Sequence, residues 1–244
     1  MSARATTATA ARVLRQLRRD RRTVAMLFLV PPLLLTIFKY VFAGQASTFD
    51  RVGGPLVGIF PFVMMFVITS ITMLRERRTG TLERLMTLPL GKGDVLAGYG
   101  IAFAVVAAVQ AVITSLVAFG PLGLHVEGHA AVVVALAVSN AVLGMSLGLF
   151  ASAFARSEFQ AVQFMPAFVL PQFLLCGLLV ARDRMAPLLE WISNALPLTW
   201  AYDGLGAAVD GGPSGRIARD AAVVLGIATL AVALAAATLR RRMP

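Results

Sequence analysis

Charge is scarce in this chain. Only 14% of its 244 residues are charged, against about 25% in a soluble domain. That deficit excludes a water-facing surface over most of the molecule. Lysine is nearly absent, with Lys39 and Lys92 the only two, so the positive charge is almost entirely arginine and the net charge is +10. A basic balance can signal nucleic acid, but that needs a basic patch on a soluble fold. Here the arginines flank long apolar runs, and no nucleic-acid partner is expected. Cys176 is the single cysteine, which excludes an intrachain disulfide; it reads as a small buried hydrophobe. Two histidines, His125 and His129, and one cysteine leave too few ligands for a zinc site, so no metal is expected.

Hydrocarbon takes the place of the missing charge, with 58% of residues hydrophobic. A bilayer core about 30 Å thick is crossed by roughly 20 apolar helical residues. Inside lipid the backbone must satisfy its own hydrogen bonds, which makes such runs helices. Six runs qualify, near 23–43, 55–74, 96–119, 130–152, 160–181 and 220–239. The expected fold class is an all-α membrane protein: a cytoplasmic amphipathic segment over 1–22, then a six-span transmembrane domain over 23–244. The first run, Thr23 to Ala43, exceeds the roughly 7–15-residue core of a signal peptide and is expected to stay as a span.

Topology follows from the positive-inside rule. With the N-terminus inside, the inner segments gather Arg4, Arg12, Arg15, Arg18, Arg19, Arg21 and Arg22, then Arg75, Arg77, Arg78, Arg84 and Lys92, then Arg156 and Arg240–Arg242. The outer segments hold Arg51, Arg182, Arg184, Arg216 and Arg219. Both termini are therefore expected to be cytoplasmic. The stretch 185–208 is apolar enough to enter the membrane, but Glu190, Asn194, Pro197 and Asp203 divide it into halves too short to cross. It is expected as an outer re-entrant helical hairpin before the last span; an amphipathic loop on the outer surface is the alternative.

Two cytoplasmic segments carry more pattern than an anchor needs. Ala10, Val13, Leu14 and Leu17 share one helical face, while Arg12, Arg15, Arg18, Arg19 and Arg22 cover the rest. Such a helix lies in the membrane interface with its arginines toward anionic headgroups. It reads equally as a positive-inside anchor or as a dock for a cytoplasmic partner. The second segment is the 75–94 loop. Gly80 permits a sharp turn, Thr81 suits an N-cap, and Glu83 would fall in the first turn, where the helix dipole favours it. Leu82, Leu85 and Met86 form a small apolar face, and Pro89 and Gly91 end the helix. An apolar face with fixed ends suits insertion into a groove on another protein.

These residues carry a resemblance. Glu76-Arg77-Arg78-x-Gly80-Thr81-Leu82-Glu83-x-Leu85, followed by Pro89, resembles the signature of type-2 ABC transporter permeases, closest to the daunorubicin-resistance-type exporter permeases. Leu196-Pro197-Leu198-Thr199-Trp200-x-x-Asp203-Gly204 resembles the segment that such permeases carry before the last span. Two positions depart from the family pattern: Leu196 stands where asparagine is common, and Gly98-Tyr99 where a Gly-Lys pair is common. The resemblance covers most of the chain. It implies the membrane subunit of an ATP-driven exporter, not itself an enzyme, in a bacterial plasma membrane. Glu76, Arg77, Gly80, Thr81, Leu82, Glu83, Leu85 and Met86 would form the contact with an ABC ATPase. The chain has no G-x-x-x-x-G-K-[ST] loop, so no cofactor is expected on it. ATP and Mg would be bound by two copies of a separate ATPase, working with two permease subunits as a homodimer among membrane lipids.

Polar residues inside a membrane are costly and mark functional sites by default. Asn140, Gln163 and Gln172 are the candidates for a substrate path, the latter two beside Pro166 and Pro171, which kink a helix. The remaining path would be apolar, which points to hydrophobic or amphiphilic cargo such as a drug or lipid. Gly144-x-x-x-Gly148 is instead a close-approach motif between helices. Two other classes stand as alternatives. A non-transport membrane subunit would share the coupling loop, but the outer loops are too small to receive force. An intramembrane enzyme would need an activated nucleophile, and the serines in the spans lack an evident activating partner.

Overall fold

A computed structural model of the protein describes residues 3–81 and 92–240, and every regular element among them is a helix. In chain order these are α1 (Ala3–Arg19), α2 (Arg21–Val41), α3 (Ala46–Arg78), α4 (Lys92–Phe119), α5 (Ala130–Ser152) and α6 (Glu158–Leu175). A 3-10 turn (Arg182–Arg184) then leads into α7 (Pro187–Ala195), α8 (Pro197–Val209) and α9 (Ser214–Arg240). Five of them, α2, α3, α4, α5 and α9, are long and apolar enough to cross a membrane.

The predicted run 160–181 is not among those five. Helix α6 has 18 residues and stops at Leu175. Glu158, Gln160, Gln163 and Gln172 lower its hydropathy, and Pro166 and Pro171 lie inside it. Gly177 then takes a left-handed φ of 102°, so the apolar stretch beyond Cys176 leaves the helix. The 185–208 stretch does form two short helices, α7 of 9 residues and α8 of 13, meeting at Leu196.

Helix α3 is the axis of the bundle. Its 33 residues extend about 50 Å at 1.5 Å per residue, well beyond the bilayer core. The helix therefore runs through Arg75–Arg78, and α4 starts at Lys92. Both ends of the predicted 75–94 loop are thus helical extensions of spans. Along its length α3 packs on α5 through the Gly144/Gly148 pair. A Cβ on Gly144 would lie 2.1 Å from the Phe62 carbonyl oxygen, and one on Gly148 2.5 Å from that of Phe66. Only glycine lets the two backbones meet this closely. Phe62, Met65, Phe66 and Leu143 are fully buried at this seam.

Helix α2 joins the bundle through a defect in its own ladder. Pro31 lacks an N–H, which leaves the Leu27 carbonyl without its usual intrahelical donor. Gln110 of α4 donates its Nε2 to that oxygen at 2.9 Å. Gln110 thus has a structural task. Lys39, near the other end of α2, donates to the Leu122 carbonyl.

Candidate functional site

The strongest concentration of buried polar chemistry lies where α1, α3 and α4 meet. Helix α1 does not simply lie on a surface: Thr6, Thr9, Ala10 and Val13 are buried. Its close partner is the start of α4. A Cβ on Gly98 would sit 2.6 Å from Thr9 Cβ and 2.9 Å from the Thr6 carbonyl oxygen, so glycine there admits the crossing helix. Thr6 Oγ1 also donates to Asp94 at 3.5 Å. Of the predicted face, Val13 and Ala10 face inward, Leu17 is half-buried, and Arg15 and Arg18 are exposed.

Glu76 is the hub of this junction and is only 4% exposed. Arg12 donates from Nη2 to Glu76 Oε2 at 3.1 Å and to the Tyr99 hydroxyl at 2.6 Å. Tyr99 in turn donates to the same Oε2 at 2.7 Å. Gln16 donates from Nε2 to Oε1 at 2.6 Å. The Arg12 guanidinium also lies over the Tyr99 ring, 6.0 Å from its centroid. A buried carboxylate is tolerable only when paired and fully hydrogen-bonded, and this one accepts from three side chains on two other helices. Glu76 was expected at a partner surface; its carboxylate instead points inward. Sequence reasoning missed Tyr99 and Gln16, although the departure at Gly98-Tyr99 was a visible signal.

Helix α3 ends just beyond this hub. Arg75, Arg77 and Arg78 fill its last turn, where cations suit the helix dipole. Gly80 takes a left-handed φ of 69°, and its N–H donates to the Arg77 carbonyl at 3.3 Å. This is the sharp exit expected of it. Arg77 reaches the Ser152 carbonyl at the end of α5 at 3.5 Å. Arg75 pairs with Glu158 at the start of α6 through two bonds of 3.1 and 3.2 Å. The Arg75 hydrogen bond holds the Glu158 carboxyl below its ordinary pKa. Thr81 is the last described residue before the gap, and its hydroxyl meets that of Thr79 at 2.9 Å. Leu82, Glu83, Leu85 and Met86 lie outside the described residues.

The three path candidates do not converge. Asn140 is 1% exposed on α5, and both its side-chain polar atoms lack partners among the described residues. Gln163 is exposed on α6. Gln172 serves the start of α8, accepting from the Leu198 N–H at 3.3 Å, and donates to the Phe168 carbonyl at 2.8 Å. Helices α7 and α8 are pinned further. Arg182 pairs with Asp203 and donates to Asn194 at 2.9 Å. Trp200 Nε1 donates to the Asn194 carbonyl at 3.0 Å, and Arg219 lies over the Trp200 ring at 5.3 Å. Sequence reasoning also passed over Asp220, fully buried at the head of α9. It is paired with Arg219 at 2.9 Å and lines a small cavity with Asn140 and Trp200.

A bundle of membrane-length helices with a charged joint at one end defines a multi-pass helical membrane protein. The chain belongs to the ABC-2 type transporter family, whose model matches residues 4–209. It is similar to the linearmycin resistance permease protein LnrN of Bacillus subtilis (strain 168), 28% identical over 178 residues, covering 72% of this chain and 44% of that one. It is also similar to ABC transporter G family member 20 of Dictyostelium discoideum, 29% identical over 171 residues, covering 70% of this chain and 23% of the relative. A third relative is the "Probable multidrug ABC transporter permease YbhR" of Escherichia coli (strain K12), 26% identical over 145 residues, covering 59% and 38%. The matches span less than half the length of each of these relatives.

Proposed function

We propose that this chain is the membrane subunit of an ATP-driven exporter, coupled to a separate ABC ATPase. The Arg12–Glu76–Tyr99 joint carries the proposal. It ties the N-terminal helix to the ends of two spans, immediately beside the Gly80 exit and the segment 82–91. Force applied at that segment would reach α3 directly and α1 and α4 through Glu76. Glu76 is thus an internal transmitter, while Arg77, Gly80, Thr81, Leu82, Glu83, Leu85 and Met86 form the ATPase-facing element. Arg12 and Leu17 hold α1 in place, and Arg15 and Arg18 face the headgroups.

The working unit pairs two ATPases with two copies of this chain. In the single chain α6 exposes Phe159, Val162, Leu170 and Leu174, an apolar face with Gln163 on it. A second copy seated there would bury that face and complete the path between subunits. Helix α6 would then serve as the sixth span. The α7–α8 hairpin would close the outer end, Asn140 and Gln172 would act close to it, and both termini would lie in the cytoplasm of a bacterium. The named permeases among the relatives, one for linearmycin resistance and one for multidrug transport, support a hydrophobic or amphiphilic cargo.

The test is co-expression with an ABC ATPase, expected in a neighbouring reading frame, followed by purification and reconstitution. The expected result is a stable complex whose ATP hydrolysis rises with hydrophobic drugs or lipids and falls in Glu83→Ala. Full stimulated hydrolysis in Glu83→Ala would remove the coupling assignment.

A further inference from the structure

Under α1 lies a cavity of about 380 Å³, within the roughly 300–1,000 Å³ range of small-molecule sites. It is bounded by α1, α2, α3 and one ring of α4. Val13, Leu17, Met26, Val67, Ile68 and Phe103 form much of its apolar wall. Gln16, Asp20, Arg75 and Glu76 stand at its polar end. Met26 is 61% exposed, so the cavity opens sideways from the bundle, at the level where α2 begins. None of Asn140, Gln163 and Gln172 borders it.

Its polar groups are already committed. Glu76 accepts from Arg12, Tyr99 and Gln16, and Arg75 is paired with Glu158. Asp20 caps α2, accepting from the Thr23 N–H at 3.1 Å and the Thr23 hydroxyl at 2.7 Å. The cavity therefore offers hydrocarbon contact and little unmet hydrogen bonding. Around it the uncommitted charge is positive: Arg18, Arg19, Arg21 and Arg22 are exposed and form no ion pair among the described residues. An apolar slot open to the side, at the α1–α2 junction that carries these four exposed arginines, matches one ligand chemistry: a long acyl chain attached to an anionic head.

We infer that this cavity is a binding site for an anionic phospholipid of the leaflet that α1 lies in, with an acyl chain between α1, α2 and α3 and the phosphate among the arginines of 18–22. The inference rests on the assignment of α1 to the membrane interface. It adds a regulatory consequence to the proposed coupling. Gln16 and Glu76 belong both to the cavity and to the joint, so a seated chain presses on the element that links α1 to α3. The lipid then sets how firmly α1 is held, and with it how well the joint transmits.

The experiment uses the full chain with its ATPase in phosphatidylcholine nanodiscs. Each disc carries a trace of photoactivatable lipid with the diazirine on the acyl chain, on either a phosphatidylglycerol or a phosphatidylcholine head. A single-chain cationic amphiphile with the same diazirine chain is the third arm. Crosslinked peptides are mapped by mass spectrometry. The expected result is labelling concentrated on 13–26 and 64–72, at least several-fold stronger for phosphatidylglycerol. Val67→Trp, and independently Leu17→Phe, should cut it several-fold while monodispersity and Tm are retained. Even labelling over the exposed faces of α2 and α6, or unchanged labelling in both filled variants, would overturn the site. Preference for the cationic amphiphile would overturn the anionic-lipid assignment. Because crosslinking does not require transport, an inactive complex with focused labelling would count against the exporter function alone.

Discussion

Each end of the bundle is closed by an arginine on a carboxylate, but the two closures differ in kind. At one end Arg12 meets Glu76, 64 positions away in sequence, and Tyr99, 87 away. At the other, Arg182 meets Asp203 and Asn194, only 21 and 12 positions away. The first pair joins an N-terminal helix to two spans and leaves its acid 4% exposed. The second holds α7 and α8 to the turn that leads into them. A long-range polar joint ties separate helices together, whereas a local one holds a single element in shape. That contrast makes the Glu76 end the candidate for transmission.

The largest expected effect removes both ends together. Gly144→Val would drive a side chain into the Phe62 backbone, which cannot yield as a flexible neighbour would. Overpacking costs about 1–3 kcal/mol and sometimes more. A loss of about 3 kcal/mol, seen as a lower Tm and aggregation in detergent, is expected with both closures destabilised. If either end kept its protection against hydrogen exchange, the shared α3–α5 frame would be the wrong account.

Cutting one closure at a time should separate them. Breaking a buried ion pair costs about 3–5 kcal/mol when the remaining charge has no partner. Arg12→Ala is expected below that range, because Arg12 is a third exposed and Glu76 keeps Tyr99 and Gln16 as donors. Hydrogen exchange should then rise over 3–19 and stay unchanged over 187–209. Arg182→Ala should give the reverse pattern. Loss of protection at both ends from either variant would erase the distinction.

Gln110→Leu should lie below these and touch neither closure. It strips the donor from the Leu27 carbonyl, and an unsatisfied buried acceptor costs about 1–3 kcal/mol. The expected signature is faster exchange near 27–31 only. Smallest of all is the Arg75–Glu158 pair, both partners about half exposed; Glu158→Gln should change stability by less than about 1 kcal/mol, since exposed pairs contribute little. Its pH dependence has a fixed sign. The Glu158 pKa is lowered in the folded chain, so its contribution is complete above the ordinary carboxylate pKa. It disappears as pH falls through the depressed value. A contribution growing on acidification would contradict the geometry.

How much of this was legible in the sequence depended on the range of the interaction. Apolar runs placed α2, α3, α4, α5 and α9, because hydropathy is a property of contiguous residues. The Ala10/Val13 face and the Gly144/Gly148 motif were readable for the same reason: both are periodicities within one helix. The end of α6 was not, since Cys176 to Ala181 is as apolar as the helix before it and the chain leaves at Gly177. The inward turn of Glu76 was invisible, because its partners come from helices 60 to 64 positions back and 23 ahead. The bond from Gln110 to α2 went unread, yet the needed signal was present. Pro31 frees the carbonyl four residues earlier, and a polar side chain on a neighbouring helix is its natural donor. Gln172 likewise has a local task the sequence did not announce, accepting from the Leu198 N–H at the start of α8.

The central claim is that Glu76 transmits between the ATPase-facing segment and α1. A double-mutant cycle on the reconstituted complex tests it most directly, with Arg12→Ala, Glu76→Gln and the pair together, read as drug-stimulated ATP hydrolysis. Residues acting as one unit are strongly non-additive. Each single variant should lower stimulated hydrolysis by about tenfold, equivalent to about 1.4 kcal/mol, and the double variant should be no worse than either. Independent, multiplying losses, or full stimulation without the pair, would contradict it.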